Sequence, residues 1–166
     1  VQFAPSVVNV NGIDTVLIGS GDREHPFDTT ATNRFYAFKD LGTDLGPLTG
    51  TNVANPTIVE SAMFDATNNC IQDAASCATG VTQADAKTAL GNSSGWYLTL
   101  GTGEKVVGNP VTAANDVVFG TNQPSASAGG GTCGANLGVA RLYQISATDA
   151  TATTGGIDVP GLEEAD

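Results

Sequence analysis

The sequence has few of the residues on which nucleic-acid binding and most catalysis depend. Its 166 residues include one histidine, one tryptophan and one methionine, and 6 Lys and Arg residues stand against 17 Asp and Glu, for a formal net charge of −11. An acidic surface of this kind has no cationic stripe for phosphates, so we expect no nucleic-acid partner. No apolar run approaches the length of a transmembrane helix, which predicts no membrane span.

Cysteine is also scarce, with Cys70, Cys77 and Cys133 as the three examples. They form no Cys-x-x-Cys motif, and a single histidine cannot complete a Cys/His zinc site. Cys70 and Cys77 lie close together in a polar segment, which favours a disulfide between them and therefore an oxidising, extracytoplasmic setting. Cys133 would then be free or paired with a cysteine outside this chain.

Charged residues make up only 14% of the chain and glycines number 21, a mixture that suits a turn-rich β protein better than long helices. Short apolar runs between turn residues predict strands. The predicted strands are Ser6–Val10, Thr15–Ile18, Arg34–Phe38, Thr57–Phe64, Trp96–Leu100, Asp116–Phe119 and Ala140–Ser146. Asn11-Gly12 predicts a hairpin turn, because both residues tolerate a positive φ, and Ala114-Asn115-Asp116 holds the equivalent place later in the chain.

One segment has a helical character. Thr82–Leu90 is rich in alanine, Thr82 and Asp85 have the spacing of a capping box, and Gly91 is a stop signal. We expect a helix of about two turns there. The helix would lie in an insertion, residues 61–94, between two strand-rich regions.

The two strand-rich regions resemble each other. Each has a proline before a strand, a tight turn, a strand that ends in glycine, a long loop and an Arg-x-Tyr strand. The matched pairs are Pro5 and Pro110, Gly19 and Gly120, Arg34 and Arg141, and Tyr36 and Tyr143. Repeated small antiparallel sheets predict propeller-type blades, here about two four-stranded units in an incomplete ring. The expected divisions are a first blade unit at 1–60, the insertion at 61–94, a second blade unit at 95–150 and an acidic tail at 151–166.

Two units cannot close a ring, so the exposed blade faces need other partners. The chain would then belong to a larger propeller or would pack on partner chains in an assembly. Because Val1 is an unusual start and leads directly into strand-like sequence, we also expect a fragment or a mature product.

Long stretches of the two units carry a family resemblance. VLIGSGDREHPFD and NRFYAFKD in the first unit, and GWYLTL, GEKVVGNPV, VVFGTNQP and NLGVARLYQI in the second, closely resemble the C-terminal β-propeller of PilY-type type IV pilus assembly proteins. The resemblance covers roughly residues 1–50 and 95–148 and fades over the tail. It implies a non-catalytic, secreted protein that reaches the cell surface through the periplasm and acts in pilus biogenesis and surface adhesion. Its implied partners are pilus minor subunits or other assembly chains, and a host or abiotic surface.

The resemblance also implies calcium in the parent propeller, although no cofactor is evident from the residues. The nearest candidate ligands are Asn9, Asn11 and Asp14, which offer one carboxylate where calcium loops usually supply more charge. The hairpin turn already explains these three residues.

A charged loop follows the second predicted strand and holds Asp22, Arg23, Glu24 and His25. One interpretation is acid–base chemistry or a metal site around the only histidine. However, the chain has neither a Gly-x-Ser-x-Gly elbow nor a Gly-Lys-Ser/Thr phosphate loop. We therefore favour a solvated blade loop, with a contact surface formed by these four residues as the alternative, and we assign no catalytic, cofactor or metal residues.

Two further positions allow competing interpretations. Trp96 is suited to core packing, although stacking on a sugar is an alternative for an adhesin. Glu104-Lys105 follows the Trp96 strand and suggests a polar β-turn at a sheet edge. For the whole chain, the alternative functions are a structural subunit of an extracellular filament or a fragment of a quinone-dependent propeller dehydrogenase.

Overall fold

A computed structural model describes residues 3–22, 24–40, 57–124 and 138–153. These residues form two β-sheets and one α-helix, and every strand pair but one is antiparallel. The prediction of a mostly β chain with one short helix is confirmed. The two sheets do not close into a barrel or a ring within the described ranges, so a propeller remains a proposal.

The first sheet has five strands in the order β1-β2-β3-β5-β4. Their bounds are β1 Ser6–Val10, β2 Ile13–Gly19, β3 Arg34–Lys39, β4 Phe64–Asp65 and β5 Gly95–Thr99. Strand β4 pairs with β5 in parallel, and the other pairs are antiparallel. Although the sequence placed the Trp96 strand in the second unit, β5 hydrogen-bonds to β3, so the first sheet includes residues from both sides of the insertion.

The second sheet is built around its longest central strand. The bounds are β6 Lys105–Val106, β7 Val111–Ala113, β8 Asp116–Gln123 and β9 Val139–Ser146. Strand β9 pairs along the whole of β8, while β6 and β7 share the opposite edge of β8. The second sheet thus has the predicted four strands, with the two short ones, β6 and β7, along one edge of β8.

Both predicted hairpin turns are confirmed. Val10 pairs with Ile13 across Asn11-Gly12, whose φ angles are 53° and 85°. Ala113 pairs with Asp116 in the same way, and Ala114 has a φ of 54°. Two-residue turns with positive φ match the right-handed twist of the flanking strands, and asparagine and glycine adopt such angles at little cost.

The insertion contains the expected helix, α1 Gln83–Asn92. Thr82 caps it with the complete capping box to Asp85, but the helix continues past Gly91 and ends at Asn92. The predicted strand Thr57–Phe64 is wrong, because the backbone makes a single 3₁₀ turn at Glu60–Ala62 before β4. That run has no alternation of apolar and polar residues, so its sequence did not distinguish a strand from an irregular segment.

The internal repeat has the same strand register in both sheets. Gly19 pairs with Phe35 in the first sheet, and Gly120 pairs with Leu142 in the second. We call the face of each sheet that carries this glycine the front, and the face that carries the tyrosine of Arg-x-Tyr the back. The two units thus share one strand arrangement as well as one sequence pattern.

The sheets pack front to back. Phe35 on the front of the first sheet stacks on Phe119 at 3.9 Å between ring centroids, and Phe119 stacks on Tyr143 on the back of the second sheet. Val106 of β6 fills the space above Gly19, where a Cβ atom would overlap its side chain. Leu17 and Trp96 complete this buried layer. The chain therefore uses opposite faces of its two equivalent sheets to build one core.

We predict that Gly19→Ala lowers the free energy of unfolding by about 1–3 kcal/mol, because the added methyl group must displace Val106 from a packed core. Chemical denaturation measures the change. Gly120→Ala is the matched control, because its Cβ would meet nothing closer than 3.9 Å, and it should change stability by less than about 0.5 kcal/mol. Equal effects of the two substitutions would contradict the assigned packing.

Candidate functional site

The charged loop leaves the first sheet at the end of β2 and is held by short local hydrogen bonds. The Asp22 carboxylate contacts His25 Nδ1 at 2.7 Å and accepts the Glu24 backbone N–H at 2.9 Å. The side chain of His25 is 70% exposed. Arg23, the fourth predicted contact residue, lies outside the described residues. The structure thus brings Asp22, Glu24 and His25 together on the surface.

Two carboxylates of the loop are stabilised in their charged form. The hydrogen bond from His25 lowers the pKa of Asp22 below its ordinary value of 3.8. The Thr30 backbone N–H and hydroxyl lower the pKa of Asp28 in the same direction. A lowered carboxylate pKa means that these contacts are intact at neutral pH and are lost as the pH falls below 3.8 and through the folded-state pKa. The loop is therefore anionic and locally ordered under ordinary conditions.

Lys105 holds the backbone of the loop at Pro26 and Asp28. Its ammonium donates to the backbone carbonyls of Pro26, Asp28 and Gly103, which uses all three of its hydrogens. Lys105 is only 6% exposed. Because Lys105 belongs to β6 of the second sheet, the shape of a loop from the first unit depends on the packing of the second.

Glu104, the residue before Lys105, is also buried. Its carboxylate accepts hydrogen bonds from the Thr121 and Tyr143 hydroxyls and the Gly101 backbone N–H. The guanidinium of Arg141 lies 3.5 Å away. The predicted polar turn forms, because the Glu104 backbone N–H donates to the Gly101 carbonyl just ahead of β6. The sequence did not predict that this segment enters the space between the sheets, where both charges find partners. Those partners lie far away in sequence, so no local pattern identified them.

The repeat extends to a matched group of side chains that the sequence did not reveal. In the second sheet, Arg141 and Tyr143 both hold Glu104. In the first sheet, the Tyr36 hydroxyl donates to Glu60 at 3.1 Å, and the Arg34 guanidinium lies 3.4 Å from the same carboxylate.

Each sheet thus has an Arg–Tyr–Glu group on its back face. Glu60 follows the Arg-x-Tyr strand of the first unit, whereas Glu104 precedes the Arg-x-Tyr strand of the second. Alignment of the two units therefore could not pair the two glutamates. The two glutamates differ in burial, because the Glu104 side chain is 3% exposed between the sheets whereas the Glu60 side chain is 44% exposed.

The candidate calcium ligands are engaged by the first hairpin. The Asn9 amide donates to Asp14 at 2.7 Å, and its oxygen accepts the Gly12 backbone N–H at 3.1 Å. Asn9 and Asp14 are direct cross-strand partners, which accounts for their proximity. In the described part of the chain, no three His, Cys, Asp or Glu side chains converge as a metal-binding group.

The sulfur atoms of Cys70 and Cys77 lie at bonding distance, with Cα atoms 4.5 Å apart. The pair closes a short loop ahead of α1, in the segment where Asp73 caps a 3₁₀ turn. Cys133 lies outside the described residues.

A cavity of about 360 Å³ lies between the first hairpin and α1, with Trp96 and Lys39 in its wall. Trp96 is buried and donates its indole N–H to the Ala147 carbonyl, so its predicted core role is confirmed. The Lys39 ammonium donates to the carbonyls of Leu90 and Ser93 at the end of α1, and burial lowers its pKa. Lys39 thus holds the insertion against the first sheet, whereas Trp96 ties the first sheet to the segment that follows β9.

No protein-family model matches this chain, and no curated protein or solved structure matches it. Within the described ranges, no helix is long and apolar enough to cross a bilayer.

The described residues of the charged loop are exposed to solvent. A general base acts on substrate held in a cleft, whereas the imidazole of His25 projects mostly into solvent. Backbone carbonyls of the loop are held by Lys105, which leaves the carboxylates of Asp22 and Glu24 on its outer side. Such an arrangement presents negative charge and hydrogen-bond acceptors in a fixed pattern.

We predict that His25→Ala raises the pKa of Asp22 toward its ordinary value, because the largest interaction that lowers it is removed. Carboxyl carbon chemical shifts followed through a pH titration by NMR measure this pKa. Asp85 is the internal control, since Thr82 lowers its pKa at the helix cap and His25 does not touch it. An unchanged titration of Asp22 would refute the contact.

We also predict that Lys105→Met lowers the free energy of unfolding by about 2–3 kcal/mol, because three carbonyls lose a buried charged donor. Hydrogen exchange in residues 24–30 should accelerate together with that loss. Lys87→Met, on the exposed side of α1, is the control and should change stability by less than about 0.5 kcal/mol. Unaltered exchange in the loop of Lys105→Met would show that the ammonium does not hold it.

Proposed function

We propose that this chain is part of a non-catalytic PilY-type protein that acts in type IV pilus biogenesis and surface adhesion. The observation that carries the proposal is the position of the residues that bear the resemblance. VLIG and RFYAFK form β2 and β3, and VVFG and RLYQI lie in β8 and β9. The resembling stretches are thus the paired strands of the two equivalent sheets.

We propose further that the two sheets are consecutive units of a β-propeller. Neighbouring propeller blades face the same way around a ring, so each presents one face to the blade before it and the opposite face to the blade after it. The front-to-back packing of Phe35 on Phe119 and the equal register at Gly19 and Gly120 support this arrangement.

The proposed location is outside the cytoplasm, at the cell surface after passage through the periplasm. The Cys70–Cys77 pair supports it, because disulfides persist in oxidising compartments and are rare in the cytosol. The net charge of −11 suits a soluble surface protein and disfavours nucleic acid as a partner.

The charged loop is the proposed contact surface of this unit, formed by Asp22, Arg23, Glu24 and His25. Its partners would be pilus minor subunits or other assembly chains, or groups on a host or abiotic surface. Support comes from the exposure and the local hydrogen bonds of Asp22, Glu24 and His25, because residues that are already held in place lose little conformational entropy when they bind.

The test is genetic and uses the complete parent protein. Deletion of the parent gene should abolish or strongly reduce surface pili, counted by electron microscopy, and attachment to surfaces. Re-expression of the parent gene should restore both. A deletion strain with normal pili and normal attachment would contradict the proposal.

The loop is tested in the same strain by a parent protein that carries Asp22→Ala, Glu24→Ala and His25→Ala together. We expect normal secretion and an unchanged unfolding temperature, because Asp22, Glu24 and His25 lie on an exposed loop and their described side-chain hydrogen bonds are local. Attachment or piliation should fall at least about tenfold if the loop carries a main contact, as loss of a few central contacts does at other interfaces. Full activity of this variant would remove the loop from the proposal while leaving the pilus role intact.

A further inference from the structure

The front face of the second sheet carries exposed apolar side chains in the described structure, beside the polar pair Asp116 and Gln144. Leu142 is 44% exposed, Val107 43% and Val111 63%, and they surround Gly120. We call these four residues the second-sheet patch. Exposed apolar side chains clustered on one sheet face indicate a surface that binds a partner.

The corresponding residues of the first sheet show which kind of surface covers a front face that carries this glycine. Gly19, the equivalent of Gly120, receives the side chain of Val106. Phe35, the equivalent of Leu142, is fully buried under Phe119. The glycine front of the first sheet is thus covered by the back of the second, with a β-branched residue over the glycine.

The first sheet itself carries a back face of the same chemistry. Its Arg34, Tyr36 and Glu60 form the group that Arg141, Tyr143 and Glu104 form on the buried back of the second sheet. Tyr36 also stacks on Phe38 at 5.4 Å, which adds aromatic surface beside the group. Within the described residues, one molecule therefore has exposed apolar side chains on the front of its second sheet and a back face of similar chemistry on its first sheet.

We propose that the second-sheet patch binds the back face of the first sheet of a second copy of this chain. The contact would repeat the front-to-back packing already present inside the molecule, in the same orientation. Because the two surfaces differ, the association is head-to-tail, and it produces a closed ring or an open chain according to the rotation between copies. The inference rests on the internal repeat and does not depend on the pilus role; in a longer parent chain, the next propeller unit would occupy the position that the second copy takes here.

Charge sets the conditions under which the association is measurable. Each copy carries a net charge of −11, so copies repel each other at low salt. Apolar packing against the patch is insensitive to this screening, whereas the repulsion falls off within a few ångströms at high ionic strength. Association should therefore strengthen as salt is added.

Sedimentation velocity of the purified chain tests the proposal, in roughly 0.5 M NaCl so that repulsion is screened. The mass should rise with concentration over about 10 μM to 1 mM, the range expected for a contact of modest affinity. Gly120→Ala should weaken association about tenfold, because its methyl group occupies the space that a β-branched side chain of the partner needs. The same substitution meets no atom closer than 3.9 Å within one copy, so folding is preserved.

Leu142→Glu should abolish association, and Val81→Glu is the matched control. Val81 is 42% exposed and lies in the insertion, so it adds the same charge away from the patch and should leave association unchanged. Ile18→Glu, on the back of the first sheet beside Tyr36, should also give a monomer. Circular dichroism melts verify that each variant is folded.

Mixing the two monomeric variants identifies the geometry. Leu142→Glu keeps an intact back and Ile18→Glu keeps an intact front, so the mixture should form a dimer with one contact although neither variant associates alone. A monomeric wild type over the whole concentration range would overturn the proposal, and the patch would then belong to a different partner. Association that survives Leu142→Glu, or that Val81→Glu abolishes equally, would overturn it too.

Discussion

The contact of Val106 with Gly19 is the constraint on which the rest of this molecule depends. Only a residue without a side chain lets β6 approach the front of the first sheet so closely. That approach brings Phe119 onto Phe35 and places Glu104 and Lys105, the two residues before Val106, between the sheets. The absence of a side chain at Gly19 thus allows both the apolar core and the polar contacts at its edge to form.

Glu104 and Lys105 show how this acidic chain buries two of its charged side chains. Removing Glu104 and Lys105 from water is costly unless every hydrogen-bonding group finds a partner. Glu104 meets two hydroxyls, one backbone N–H and Arg141, and Lys105 meets three carbonyls. Two of those carbonyls belong to the charged loop, so the compensation of one buried charge gives the surface loop its shape.

The sequence was sufficient wherever the determining interactions are local. The Asn11-Gly12 turn, the Thr82–Asp85 capping box and the alternation in β2 and β3 each act within a few residues, and these elements form as predicted. It was insufficient at β5, at the run before Phe64 and at Glu104-Lys105. The placement of these segments depends on contacts with residues far away in the chain, which a single sequence does not display.

The charged loop was predicted only in part. Its charged residues were identified from the sequence, whereas Lys105, which holds its backbone, was not. Asp22, Glu24 and His25 are conspicuous as charges around the only histidine, but Lys105 lies about eighty positions later. Similarly, the Arg-x-Tyr strands were matched from sequence, while Glu60 and Glu104 became equivalent only through their positions in space.

The use of opposite faces in the two sheets has an evolutionary consequence. In a pair of sheets related by a two-fold axis, both sheets use the same face in their contact. A third sheet could then be added only through a different surface. A front-to-back pair has the same free face after each addition as before it. A gene duplication that lengthened such a chain by one unit would therefore produce a sheet that already fits, and substitutions would be needed only where growth has to end.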